Sequence, residues 1–191
     1  MKKEMRNLEM TVADGLSVEG YAAVTGQRAL MYDSEFSGYK YFEVVEPGAF
    51  DGADMSDVVM RYNHRDAAYV LARTSNGSLR LSVDDRGLKI EADLADTTAG
   101  KDMYALIRRG DVSRMSFCFT VGKETWEEDK ERKEITRHIQ SISRLFDVAP
   151  VDFPAYEGTS IHTRGAGEAD CFAQMDRQKR KRELLIARTY L

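Results

Sequence analysis

Imidazole is the side chain best suited to moving a proton near neutral pH, and the 191-residue chain has three, His64, His138 and His162. His64 stands in RYNHRD, just after the apolar run VVMRY at 58–62, where a strand gives way to a loop. There a neutral ring could take the proton of a hydroxyl; a polar loop histidine without chemistry is the plainer alternative. The hydroxyl on offer is Ser116, in RMSFCFTV, where Met115, Phe117, Phe119 and Val121 alternate with Ser116, Cys118 and Thr120. A strand packed on its apolar face would hold Ser116 rigidly. Serine is a poor nucleophile until a base within hydrogen-bond reach takes its proton, and a serine filling a tight spot in a sheet has the same local sequence.

A third group would have to orient the imidazole and stabilise its cation. Asp147 in LFDVAPV and His138 in TRHIQ are the candidates. A carboxylate offsets an imidazolium better than a second histidine, but spacing alone does not choose between them. Other chemistry has less support. His64, Asp66 and His138 lack the HExxH or paired-histidine spacing of a zinc site. Cys118 lies in an apolar strand, where a thiol is typically inert. GAF, SNG and GDV are turns, not phosphate-binding loops. No cofactor is expected.

The elements that must carry these residues are mostly strands. VEGYAAV (18–24), YFEVV (41–45), VVMRY, SLRLSV (78–83) and LKIEADL (88–94) have a period of two or β-rich runs, and Asp84-Asp85-Arg86-Gly87 makes the last two a hairpin. One helix is expected from a Thr98 cap to Arg109, with Met103, Leu106 and Ile107 on its buried stripe and Gly110 as its stop. WEEDKERKE at 126–134 reads as an exposed hairpin loop, after which ITRHIQSISRLFDVAPV resumes strand character. Helical crossovers are missing between most strands, which disfavours a parallel α/β fold. The expected class is α+β, a mostly antiparallel β-barrel with a few helices around it.

Composition sets the outer bounds. With 42% hydrophobic and 31% charged residues the chain can bury a real core. No apolar run reaches the roughly 18 residues of a membrane span, and MKKEMRNLEM is not expected to act as a secretory signal. The two cysteines, Cys118 and Cys171, suggest neither a disulfide framework nor a zinc site. The net charge of −4 is uneven, because residues 174–191 carry Arg177, Lys179, Arg180, Lys181, Arg182 and Arg188 against Asp176 and Glu183. An acidic body argues against nucleic acid as the main ligand. The expected organisation is a folded domain over 1–156, a linker at 157–173 and a basic helix or tail at 174–191.

Taken in order, VEGYAAV, EVVEPGAF (43–50), NH (63–64), LART with NGSL, DDRGL, TTAGKDMYALIRRGDV, MSFCF and LFDVAPVDFPAY resemble the prohead proteases of tailed phages, over about residues 18–160. That family is similar to the herpesvirus assemblins, serine proteases built on a β-barrel surrounded by helices. The resemblance implies His64 as general base, Ser116 as nucleophile and Asp147 as third member, with His138 a lower-ranked alternative because assemblins use a second histidine. Two positions depart from the pattern: Cys118 stands where glycine is frequent, and Arg65 where an acidic residue is common. The resemblance further implies cleavage of scaffold protein, or of a scaffold-like extension of the major capsid protein, inside the assembling prohead in the host cytoplasm. It also implies self-cleavage and a homo-oligomer. A catalytically silent capsid assembly module of the same fold is the alternative. Candidate oxyanion donors are backbone groups of Gly110–Arg114 or Ser143–Arg144.

Overall fold

The structure, a computed structural model, describes residues 15–65, 69–153 and 158–163. In chain order the strands are β1 (Ser17–Val24), β2 (Arg28–Asp33), β3 (Lys40–Val45), β4 (Val59–Met60), β5 (Ala72–Arg73), β6 (Leu79–Val83) and β7 (Gly87–Asp93). Helix α1 (Thr98–Arg109) follows, then β8 (Arg114–Asp129), β9 (Glu134–Val151) and β10 (Ser160–Thr163). They form one sheet in the order β10-β1-β7-β6 and a second in the order β2-β3-β9-β4-β5, with β8 on β9. β9 pairs in parallel with β3 and with β4, and the other strand–strand ladders among the described residues are antiparallel.

The mostly β, α+β character matches expectation; the barrel does not. Both strand orders run from one edge to another without closing. The two-residue strands β4 and β5 are too short to carry the ladder onward to the first sheet. A period of two specifies which face of a strand is buried, and it reads the same in two stacked sheets as in a barrel. Side chains of both sheets meet in one core, with Val18, Leu79 and Ile90 from the first, Met60, Met115, Ile139, Leu145 and Val148 from the second, and Met103 and Ile107 from α1.

Local chemistry sets the element ends. In the β6–β7 turn the Asp84 carboxylate accepts from the N–H groups of Arg86 (2.9 Å) and Gly87 (3.1 Å). The α1 cap is Thr97, one residue before the expected Thr98; its hydroxyl accepts from the Gly100 N–H at 3.2 Å. Gly110 ends the helix at φ 84°, a left-handed conformation that glycine adopts without penalty. The charged stretch at 126–134 is a hairpin tip only at 130–133; its first four residues complete β8 and Glu134 opens β9. The run at 58–62 contributes only Val59 and Met60 to a strand before the chain winds into a 3-10 turn at Tyr62–His64. Ser160–Thr163, within the expected linker, pair with β1. The rest of that stretch past 163, and the expected tail at 174–191, lie outside the described residues.

Candidate active site

Met115 and Phe117 are buried on the core face of β8, and Phe117 lies 5.9 Å from Phe50 and 4.7 Å from Phe119, stacked on the latter. Burial of side chains of this size is worth about 1.5–3 kcal/mol each, which pins the strand. Ser116 is half-buried and projects to the opposite side. In the β8–β9 ladder Ser116 stands opposite Ala149 and Cys118 opposite Asp147. Cross-strand partners share a face, so Ser116, Cys118 and Asp147 point the same way.

β4 brings His64 to that face. Val59 pairs with Asp147 and Met60 with Val148 on the edge of β9 away from β8, and the Arg61 N–H donates to the Val148 carbonyl at 3.3 Å. The chain then turns back at Tyr62–His64, closed by the Arg65 N–H on the Tyr62 carbonyl at 3.2 Å. Asn63 (φ 52°) and His64 (φ 54°) are both left-handed, which costs non-glycine residues roughly 1–2 kcal/mol apiece. The turn carries the His64 ring onto Asp147, with Nδ1 and Oδ1 2.5 Å apart.

This contact has electronic consequences. The Asp147 side chain is 10% exposed and that of His64 32%, so the carboxylate is shielded while the ring keeps one side toward solvent. A carboxylate accepting at Nδ1 holds the proton of a neutral imidazole on that nitrogen and leaves the Nε2 lone pair available. Cys118, across from Asp147, is exposed. Burial of its sulfur, and then the Asp147 charge, push its thiol up, while Arg61 pulls it down. A thiol shifted upward is a poorer source of thiolate.

His138 is elsewhere. It lies nine positions up β9 from Asp147, about 30 Å at the ordinary rise of a strand. Its Nδ1 is 2.6 Å from Glu46 and its Nε2 3.4 Å from Glu127. The side chain of His162 lies outside the described residues. Of the two backbone segments expected to offer oxyanion donors, Gly110–Arg114 is engaged in part: the N–H groups of Gly110 and Asp111 donate to the Ile107 and Leu106 carbonyls of α1, each at 3.0 Å. Among the described residues no group of three or more His, Cys, Asp or Glu is gathered to hold a metal, and no helix is long and apolar enough to cross a membrane.

The residues around His64 include partners that sequence reasoning did not single out. Asp152, just past β9, accepts from the Tyr62 hydroxyl and from Asn63 Nδ2 (3.0 Å), and its N–H donates to Asn63 Oδ1 at 3.2 Å. Thr159 ties down the start of β8, accepting from the Met115 N–H at 3.1 Å and donating to the Met115 carbonyl at 2.8 Å. Asn63 and Asp152 fall inside the NH and VDFPAY motifs, the only signal that marked either.

The chain matches no curated protein and no solved structure. It does match the family model of the caudovirus prohead serine proteases over residues 2–173. A match of that extent makes the chain a member of the caudovirus prohead serine protease family.

Proposed function

We propose that the chain is an active serine endopeptidase in which Ser116 is the nucleophile, His64 the general base and Asp147 the group that orients His64 and stabilises its cation. The observation that carries this reading is the 2.5 Å contact between His64 Nδ1 and Asp147 on the face of β9 that Ser116 shares across β8. Diagonal neighbours on adjacent strands lie about 7–8 Å apart, a gap that an imidazole with a hydrogen bond at each nitrogen can span. Half-buried Ser116, held by core residues on either side of it in sequence, has the fixity that near-attack geometry demands.

In the acylation step His64 Nε2 takes the Ser116 hydroxyl proton as Oγ bonds to the scissile carbonyl carbon. The carbonyl electron pair moves onto oxygen, where backbone N–H donors stabilise it. As the C–N bond breaks, the imidazolium returns its proton to the leaving amine, and Asp147 offsets the ring's transient positive charge throughout. Water, deprotonated by the same nitrogen, then releases the acyl group and restores Ser116.

For a member of this family the substrates would be scaffold protein or a scaffold-like extension of the major capsid protein, cut within the assembling prohead. Self-cleavage would fall in the expected linker beyond β10, at 164–173, and remove the basic segment 174–191.

Co-expression with the capsid protein encoded alongside the chain tests the reading. The parent should shorten the capsid or scaffold protein, and its own mass should show truncated species. Ser116→Ala and His64→Ala should leave all masses intact. Normal processing by both variants would overturn the enzyme assignment in favour of a catalytically silent assembly module.

A further inference from the structure

We propose that Asp152 is a positioning residue for His64, so that β9 and the residue that follows it restrain this histidine twice, its ring through Asp147 and its turn through the contacts of Asp152 with Tyr62 and Asn63. The inference rests on the reading of His64 as general base.

The turn at Tyr62–His64 is uncommon, although asparagine and histidine enter the left-handed region more readily than most non-glycine residues. Two consecutive non-glycine residues are left-handed, Asn63 at φ 52°, ψ 31° and His64 at φ 54°. Such conformations persist where surrounding structure over-determines them. Asp152 supplies that restraint. Both ends of the Asn63 amide meet it, Nδ2 donating to its Oδ2 at 3.0 Å and Oδ1 accepting from its N–H at 3.2 Å. Its other carboxylate oxygen accepts from the Tyr62 hydroxyl. This contact, with burial, pushes the Tyr62 phenol up, as expected for a hydroxyl donating to an anion. Asp152 thus engages the two residues that precede His64.

The clamp is anchored where the site is anchored. Asp152 follows Val151, the last residue of β9, whose partner is Arg114, the first residue of β8. Ser116 lies two residues beyond Arg114 and Asp147 five before Asp152. Nucleophile and orienting carboxylate therefore sit on one hydrogen-bonded pair of strands, the clamp on the residue directly after it, and only His64 arrives from a separate segment. Without the Asp152 carboxylate, Asn63 would keep one of its two contacts, and the turn could relax and carry the ring off Asp147. Rates of this kind can fall 10²-fold for a displacement of about 1 Å.

The test uses the full chain with a fluorophosphonate probe, separating kinact from KI, beside a thermal scan of each variant. Asp152→Ala should lower kinact about 10- to 100-fold with KI changed less than about 3-fold. Asp152→Asn, which keeps the backbone N–H and one acceptor, should fall between it and the parent. Asn63→Ala should resemble Asp152→Ala, and the double variant should be no worse than either, since the two act as a unit. Parent kinact in folded Asp152→Ala, a loss confined to KI, or additive losses in the double variant would overturn the proposal. Where Asp152→Ala shows no cooperative melting, Asp152→Asn is judged by the same criterion. The low-field proton resonance of His64 Nδ1 reads the clamp without activity: it should vanish in Asp147→Ala and in Asp152→Ala. Its persistence in Asp152→Ala would refute the clamp, whereas a parent that fails to label at Ser116 would refute only the catalytic reading.

Discussion

Cys118 stands directly opposite Asp147 in the β8–β9 ladder, a thiol and a carboxylate on one face of one sheet. Burial and then the Asp147 charge hold the thiol above its usual range, so little thiolate forms at neutral pH. Iodoacetamide should therefore alkylate Cys118 more slowly at pH 8 than it alkylates a model peptide thiol, despite the residue's exposure. Asp147→Asn removes the second cause and keeps the first, so its alkylation–pH curve should move toward lower pH without reaching the peptide's. Identical curves for parent and variant, read by peptide mass after timed quenching, would show that the two groups do not sense each other.

The separation of His138 from His64 makes the choice of third residue measurable. Asp147→Ala should lower the rate of Ser116 labelling by up to about 10⁴, the loss that follows when the orienting aspartate of a serine–histidine–aspartate triad is disabled. His138→Ala removes a ring held between Glu46 and Glu127 at the other end of β9 and should leave the rate within about 3-fold of the parent. The reverse order would move the orienting role to His138.

The sequence was most informative where one strand face or one turn carried the signal. Alternation in RMSFCFTV put Ser116 opposite the core face of β8, and Asp84–Gly87 closed the β6–β7 hairpin as expected. It was least informative where separate segments meet. Whether strands close into a barrel depends on strand pairing, and the apolar run VVMRY gives only Val59 and Met60 to β4, which with the two-residue β5 ends the ladder. That Asp147 and not His138 lies against His64 follows from the β4–β9 register, which spacing cannot supply. The left-handed turn of Asn63 and His64 has no glycine to announce it, and the partner of the Asn63 amide, Asp152, stands 89 residues away in sequence.

The loop leading to β4 should respond to acid. Asp57 meets Arg73 twice, at 2.7 and 2.6 Å, and the Arg73 guanidinium holds its carboxyl down at about 2. An unfolded aspartate titrates near ~3.9. A pKa lowered by folding stabilises the native state above that value, and the contribution disappears as pH falls toward 2. Melting temperatures taken from pH 5 to pH 2 should drop less steeply for Asp57→Asn than for the parent. Because the pair is exposed, the difference should be small and should shrink in high salt. Parallel curves would mean that the ion pair contributes nothing.

Gly20 offers a test of how firmly the first sheet supports the strand that carries Ser116. A β-carbon there would lie 2.0 Å from the Ser160 carbonyl oxygen and 2.7 Å from Ile161 Cα, both backbone atoms of β10, so β10 itself would have to move. β10 and the residue before it hold the entry to β8: the Ile161 N–H donates to the Ser113 carbonyl at 3.2 Å, and Thr159 bonds both backbone groups of Met115. Gly20→Ala should therefore destabilise by about 1–3 kcal/mol and also slow labelling of Ser116, one residue past Met115. Gly77→Ala is the control: Gly77 is left-handed at φ +77° with nothing within 4 Å of the added carbon, so the substitution strains the backbone without displacing a neighbour. It should cost about 1 kcal/mol and leave labelling at the parent rate. If both variants melt early and label normally, the β10–β8 contact stabilises the fold without positioning the serine.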